Sequence, residues 1–358
     1  MRKSIFCLAG YLLYKRRAMK YINVAVKYNK MFAFDKVKSN EKLKIDYLWK
    51  NLSVSGNHRH DWHSFYKGFC GYFDERFIPS DIYNGLVEYT LNLRKYSICL
   101  QHKAILGNFI ESRNRCNTII NVIDNVCYDH DWNILSVDEV VDKVKLLNCN
   151  VIIKPSTASG GGRKVLFLNS KDIKNDDFFN KGDCIIQDFL REGDELSRFN
   201  LDTLNTIRML TLNLNGKCTV LSSFLRMGIK GMHVDNLSSG GILVGIKDDG
   251  RLHDFALDKK LNKVYESPSG ILFKGQIINC YNALKEFALN NHKRIALANL
   301  IAWDLAIDKE GNPIVVEINL DSGEIQFHQI YNGPLFGERT NEVIEYVKSH
   351  PIKRIDAK

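Results

Sequence analysis

The sequence predicts a fold that mixes β-hairpins with helices, and three stretches of its 358 residues carry that prediction. In Ile301–Asn319 two apolar runs, 301–307 and 314–318, flank a polar Asp-Lys-Glu-Gly-Asn segment where the chain must reverse. In 204–228 alternating strand residues surround Asn215-Gly216, a dipeptide suited to a tight hairpin turn. In 151–168 a β-branched strand ends at Lys154, passes through a Ser/Gly loop and resumes as Val-Leu-Phe-Leu. Helical segments precede and separate these hairpins. At about 150 residues per domain the length predicts roughly two domains.

Composition is that of a globular protein, 45% hydrophobic and 25% charged. The net charge of +9 is unevenly spread, because residues 1–50 hold 13 Lys/Arg against only Asp35, Glu41 and Asp46. The remainder of the chain is close to neutral. The nine cysteines include no C-x-x-C pair and are odd in number. That argues against a zinc site and a disulfide framework, and predicts buried thiols in a reducing, cytoplasmic setting. Tyr and Phe are dispersed without the aromatic and basic interleaving of a nucleic-acid groove, so no nucleic-acid partner is expected.

In chain order, Ile5–Tyr14 is apolar and aromatic between Arg2-Lys3 and Lys15-Arg16-Arg17. It is too short to span a bilayer, which needs about 20 residues, and no small-residue cleavage site comes after it. Residues 4–30 read as a basic, partly amphipathic helical region. Either residues 1–30 touch the anionic inner face of a membrane, or the helix packs on the body with a solvated basic face. His58, His60 and His63 with Asp61 lack an i, i+4 pair, and Arg59 opposes a cation, so 57–63 reads as a loop or helix entry. Pro79 breaks the chain, and Ser80 or Asp81 is placed to cap a helix running to about Leu93. Residues 117–123 read as a strand, 137–147 as a helix capped by Ser136, 170–180 as a helix, and 184–190 as a strand entering a polar segment. Apolar residues at helical spacing mark 275–291, and 338–348 is a last helix ended by Pro351.

The hairpin 301–319 carries candidate chemistry. Alternate side chains of a strand share a face, so Glu317 and Asn319 project together, and Asp304 joins them if the register allows. Two carboxylates and an amide oxygen form a hard, all-oxygen set suited to Mg²⁺ that shares its shell with phosphates. The alternative is a surface hairpin with solvated acids. In the loop Ser156–Gly162, consecutive glycines let backbone N–H groups approach phosphate oxygens. No Gly-Lys-Ser/Thr closes it, so it is not a Walker loop. Taken alone it is equally a mobile hairpin.

Together, Lys154, Ser156–Gly162, Asp304, Glu317 and Asn319 resemble, in order and separation, the ATP-grasp superfamily. The resemblance implies an α+β, ATP-grasp fold in which two α+β subdomains clasp ATP with Mg²⁺. The implied limits are a helical basic region over 1–95, a lid subdomain over 96–190 and a metal-bearing subdomain over 191–358. The run from Phe73 to Tyr83, F-D-E-R-F-I-P-S-D-I-Y, is similar to the sugar-transfer-associated branch. For ATP the resemblance implies contact by Lys103, Lys154, Ser156, Ser159, Gly160, Gly161 and Gly162. A linker of Gln187, Asp188, Phe189 and Leu190 would pair with adenine, Glu195 (or Glu192) would accept from the ribose, and Asp304, Glu317 and Asn319 would hold the metal.

Arg208 and Arg226, with Asn236, Gly240 and Gly241 after them, resemble the ribosomal-protein glutamate ligase branch. There the arginines face the transferred phosphate and the carboxylate substrate. A carboxylate attacking a γ-phosphate brings two anions together, so fixed cations meet a physical need. Arginine's planar fork fits both anions. Departures are His102 where the branch has Asp before the lysine, Gln187 where Glu is commoner, and Trp303 before Asp304 where D-alanine–D-alanine ligases have arginine. The implied activity is an ATP-dependent carboxylate–amine ligase forming an amide through an acyl-phosphate in cell-surface polysaccharide biosynthesis. Its substrates would be small carboxylates and amines, a sugar precursor among them. The alternatives are a kinase for a sugar or polyol hydroxyl, with Asp321 or Glu324 as base, and a non-catalytic nucleotide-binding scaffold.

Overall fold

A computed structural model of the chain describes residues 2–53, 60–157, 164–190, 192–229, 240–321 and 323–350; the side chains of 2–11 and 13 lie outside that description. The N-terminal part is helical: α1 (Arg2–Phe32), α2 (Ser39–Trp49) and α3 (Asp61–Cys70). Next comes a rod made of α4 (Ser80–Ile82), a π-turn (Tyr83–Val87) and α5 (Glu88–Leu91), and after it α6 (Arg94–Leu100). On α1, Tyr14, Ala18, Ile22 and Ala25 recur at steps of three and four and are buried, and the helix packs on α3 and α4. The apolar stripe of the predicted amphipathic helix is therefore consumed by the body. Lys15, Arg16, Lys20, Lys27 and Lys30 remain exposed on its outer face.

Two antiparallel sheets complete the chain. The first has the order β3-β2-β1-β6-β4-β5, with β1 (Thr118–Ile123), β2 (Val126–Tyr128), β3 (Ile134–Leu135), β4 (Asn150–Pro155), β5 (Leu166–Asn169) and β6 (Cys184–Asp188). Helix α7 (Val137–Lys145) lies on it, burying Val140 and Val144 against Ile120, Val122 and Val151. Ser136 and Glu139 cap that helix reciprocally, as its S-x-x-E sequence predicts.

The second sheet runs β11-β10-β9-β8-β7-β12-β13. Its strands are β7 (Thr206–Leu214), β8 (Lys217–Met227), β9 (Ile242–Ile246), β10 (Leu252–Leu257), β11 (Lys263–Val264), β12 (Leu300–Ile307) and β13 (Pro313–Asn319). Both faces are covered, which is why β12 is buried along its whole length. Helices α8 (Asp194–Ser197) and α9 (Tyr281–His292) pack on the side of Ile207, Met209, Leu225 and Trp303. The N-terminal helices, α10 (Ile325–Asn332) and α11 (Thr340–Ser349) pack on the side of Leu210, Leu212, Phe224 and Ala302. The β7–β8 turn has Asn215 and Gly216 both at positive φ, 52° and 76°, the geometry that Asn-Gly tolerates.

Phe77-Ile78-Pro79 belongs to the packing. Gln329 of α10, wholly buried, accepts from the Ile78 N–H at 2.8 Å and donates to the Ile78 carbonyl at 3.0 Å. Asp74 is forked by Arg76 at 3.1 and 2.8 Å. The N-terminal region thereby holds α10 in place. His60 pairs with Asp46 and His63 is buried against the Glu75 carbonyl, in keeping with a helix entry.

Some expected elements differ. Residues 170–180 are two 3₁₀ turns, Ser170–Asp172 and Asn175–Asp177. The Asn169 and Asp177 side chains there capture the backbone N–H groups of Lys171 and Lys174, a local bond that competes with helix propagation. The helix expected from Gly275 starts only at Tyr281, because Gly275 has φ +84° and the Asn279 N–H is taken by Glu195. Ser80 opens its helix as the first helical residue and caps nothing; the capping position is Pro79. The last helix begins at Thr340 behind a 3₁₀ turn over Gly337–Arg339. Cys99 is exposed, against the expectation of buried thiols, and the described cysteines are all free.

Candidate active site

Antiparallel pairing puts four strands' polar residues in one row. On the β12–β13 ladder Asp304 is opposite Glu317 and Ala302 opposite Asn319, with a bulge directly after Asp304. Partners on a ladder share a face, so the register needed for Asp304 to join Glu317 and Asn319 is the one present. On the other side of β12, β7 places Arg208 opposite Asp304, and β8 places Arg226 opposite Thr206, two residues along. Asp304 is wholly buried. Its Oδ1 accepts from Arg208 Nε at 2.5 Å; its Oδ2 accepts from Arg208 Nη2 at 3.0 Å and lies 2.9 Å from Arg226 Nη2. Asn319 Nδ2 completes the group, 3.2 Å from Asp304 Oδ2 and 3.4 Å from Glu317 Oε1.

The lysines come from the first sheet and the segment before it. Lys103, nearly buried, stands with Nζ 3.4 Å from Glu317 Oε2, and its N–H donates to the Ser156 carbonyl at 2.8 Å. Lys154 is the next-to-last residue of β4. Burial lowers the Lys154 ammonium, while the nearby Glu317 and Asp304 carboxylates oppose that shift. Burial pushes Glu317 up, but Lys103 and Lys154 outweigh it and the carboxyl sits at about 2. Asp304 goes the other way, to about 6, because burial there exceeds the pull of the two arginines.

The cluster thus sets four cations, Lys103, Lys154, Arg208 and Arg226, around the carboxylates of Asp304, Glu317 and, 3.6 Å from Arg208, Glu324, an excess of one positive charge that favours a polyanion. Ser156 Oγ, fully buried just after β4, has no hydrogen-bond partner among the described residues. A triphosphate fits this donor set. Mg²⁺ fits the Asp304, Glu317 and Asn319 oxygens, provided the Asn319 amide turns its oxygen toward the carboxylates in place of its nitrogen.

A profile of sugar-transfer associated ATP-grasp proteins matches residues 88–345, well over half of the chain. The chain belongs to that family. Similar solved structures of ATP-grasp proteins include a biotin carboxylase–β,γ-ATP complex from Campylobacter jejuni, 11% identical over 71% of this chain and 47% of that one, with a TM-score of 0.44. D-alanyl-alanine synthetase A from Vibrio cholerae is 10% identical over 69% and 65%, TM-score 0.40. The D-cycloserine synthetase DcsG is 12% identical over 73% and 71%, TM-score 0.41. The chain spans about half to two thirds of the length of the first two. No curated protein matches.

Not all family-implied positions of this ATP-grasp chain converge. Ser159, Gly160, Gly161, Gly162 and Asn236 lie outside the described residues. Gly240, at φ +101°, and Gly241 make the turn into β9. Gln187 is buried and spends its amide on Thr118 Oγ1 at 2.8 Å, a structural bond between β6 and β1. The N–H groups of Asp188 and Phe189 already donate to the Asn117 and Asn150 carbonyls. Leu190 packs near Cys116, Ala306 and Ile314. Glu195 stands apart from the cluster: it accepts from the Asn279 N–H at 2.6 Å and lines an open cleft of about 450 Å³ with Asp194, Arg198 and Gly275. Glu192 likewise serves the backbone, holding Asn205 just before β7. Trp303 points to the opposite face and donates to Thr211 Oγ1 at 2.8 Å, so Arg208 and Arg226 are the cations beside Asp304.

Sequence reasoning placed Glu324 in the loop 320–324, expected to close on the metals and meet the acceptor, and weighed it as a base; His328 it did not single out. Glu324 Oε2 lies 3.6 Å from Arg208 Nη1, and His328 comes one helical turn later on α10. A lone histidine in an apolar helix gives no sequence signal.

Proposed function

We propose that this chain is an ADP-forming, ATP-dependent carboxylate–amine ligase acting on a cell-surface polysaccharide precursor at the cytoplasmic face of a membrane. The observation that supports it most is the row of Arg226, Arg208, Asp304, Glu317 and Asn319 across four strands, closed over by Lys103 and Lys154. Lys103, Lys154, Ser156 and the Ser159–Gly162 loop would hold the phosphates. Asp304, Glu317 and Asn319 would hold Mg²⁺, which supplies charge neutralisation for phosphoryl transfer. Arg208 and Arg226 screen the approach of the substrate carboxylate, and Asn236, Gly240 and Gly241 would join the residues that bind the cofactor. Since Asp188 and Phe189 have spent their N–H groups, adenine pairing falls to Leu190 and the linker carbonyls. Positioning and charge screening suffice, with no covalent enzyme nucleophile.

ADP release tests the reading, measured with panels of uronic and amino acids against panels of amines. ADP that requires both substrates supports ligation. ADP with a sugar alone would indicate a kinase, no ADP a scaffold, and AMP would overturn both catalytic readings. Membrane contact would use the outer face of α1, at about 1 kcal/mol per basic residue near an anionic surface. Among the described residues no helix is long and apolar enough to cross a membrane. Because α1 is part of the body, charge reversal of Lys15, Arg16 and Lys20 is the informative variant. Equal flotation of it and the wild type on anionic liposomes would end that idea.

A further inference from the structure

We propose that Glu324 is a built-in competitor of the substrate carboxylate, a gate that holds the open end of Arg208 and swings out when that substrate seats. This rests on the ligase reading and deepens it, naming Arg208 Nη1 as the carboxylate seat and Glu324 as the residue that guards it. Arg208 Nε and Nη2 are committed to Asp304. Nη1 makes no hydrogen bond among the described residues, and its ionic partner is Glu324 Oε2 at 3.6 Å. That distance is near enough for attraction and too far for a hydrogen bond.

The position of Glu324 runs against its own stability. Its backbone is left-handed, with φ 51° and ψ 38°, a region that a residue with a Cβ enters against steric resistance. It stands at the capping position of α10, where an acid ordinarily accepts from first-turn N–H groups, yet its side chain caps nothing. Among the described residues Oε2 is buried without a hydrogen-bond partner. Backbone strain, a forgone cap and an unsatisfied carboxylate oxygen all oppose folding, so the placement is explained by what the carboxylate faces.

The three carboxylates of the cluster differ in how firmly they are held. The Asp304 side chain is 1% exposed and gripped by both arginines, and Glu317 is paired with Lys103. Glu324 has one long ionic contact and a side chain 30% exposed, so rotation into solvent is open to it. An incoming carboxylate can approach Nη1 to hydrogen-bond distance and gain the charge-assisted bond that Glu324 does not make. Two anions repel each other at one nitrogen, so the arrival of one drives out the other. Once Glu324 has left, the charge of Arg208 is available to screen the attack on the γ-phosphate. A neutral sugar hydroxyl brings no charge with which to displace Glu324, and the gate thereby selects carboxylates over polyols.

The test uses the full-length protein with Mg·ATP. Carboxylate-dependent exchange of the β,γ-bridging oxygen of labelled ATP reports acyl-phosphate formation without an amine, and D-glucuronate, D-galacturonate and L-glutamate are the probes. Glu324→Gln removes the charge and keeps the size. In it the carboxylate concentration that gives half-maximal exchange is expected to fall at least about threefold, the scale of a partly exposed ion pair. Glu324→Gly removes the same charge from a backbone that glycine adopts freely, and should shift in the same direction. Thermal melting with Mg·ATP checks the fold of both. An unchanged or raised half-saturation in a folded variant overturns the gate, because removing a residue that positioned Arg208 or acted as a base would weaken carboxylate use. Exchange seen in the variants and not in the wild type supports the gate in its strongest form. Exchange absent from all three proteins overturns the ligase reading, and the gate with it.

Discussion

The Lys103–Glu317 pair allows a quantitative test of the candidate site. Glu317 sits at about 2 where a glutamate is ordinarily near 4.5, with Lys103 and Lys154 as the causes that overcome burial. At roughly 1.4 kcal/mol per pH unit that gap corresponds to about 3 kcal/mol. Divided between two lysines and reduced for the partial exposure of Glu317, it leaves about 1–2 kcal/mol for the contact with Lys103. Because the folded value is depressed, this contribution is complete above pH 4.5 and is lost as the pH falls toward 2. Lys103→Met, Glu317→Gln and the double variant, unfolded by urea at pH 7 in EDTA, should show a coupling energy of about 1–2 kcal/mol. Mg·ATP should stabilise the wild type and fail to stabilise Glu317→Gln, whose turnover should fall by about two orders of magnitude or more. Additivity of the single variants within about 0.5 kcal/mol would refute the pairing. Near-normal turnover of Glu317→Gln would remove the metal assignment.

Other parts of the structure carry three more expected outcomes. Arg208→Lys keeps charge and loses the fork onto Asp304, and kcat should drop about a hundredfold while the melting temperature moves little; a kcat within threefold of wild type would contradict the role of the fork. His292, buried between Thr211 Oγ1 and the Ala298 carbonyl, is pushed down by burial to about 4. The unfolded chain therefore binds its proton first, and stability should fall by up to about 3 kcal/mol as the pH drops from 6.5 to 4. His292→Gln should flatten that part of a urea-midpoint profile. A Cβ on Gly193 would press on the Asp308 carbonyl oxygen, which is backbone and cannot step aside, so Gly193→Ala should cost about 1–3 kcal/mol in chemical denaturation.

Local rules decide what lies within a few residues, and the chain states those openly. Asn215-Gly216 names its turn, Ser136 with Glu139 names a helix start, and alternation on β13 puts Glu317 and Asn319 on one face. The same rules misjudge 170–180, where helix propensity loses to Asp and Asn side chains that bond the nearby backbone. Glu195, implied by the resemblance as a ribose acceptor, accepts from the Asn279 N–H. Pairing of strands distant in sequence is another matter. Arg208 and Asp304 meet because β7 lies next to β12, and that order comes from burying both faces of the sheet under helices. Lys103 reaches Glu317, and His328 reaches the flank of Arg208, only once the first sheet and α10 have docked. Periodicity and turn chemistry were thus enough to choose most of the strands and hairpins and to put Glu317 and Asn319 on one face. Which cation sits against which carboxylate was settled by packing between segments as far apart in sequence as Lys103 and Glu317, whose contacts leave no pattern in the linear chain.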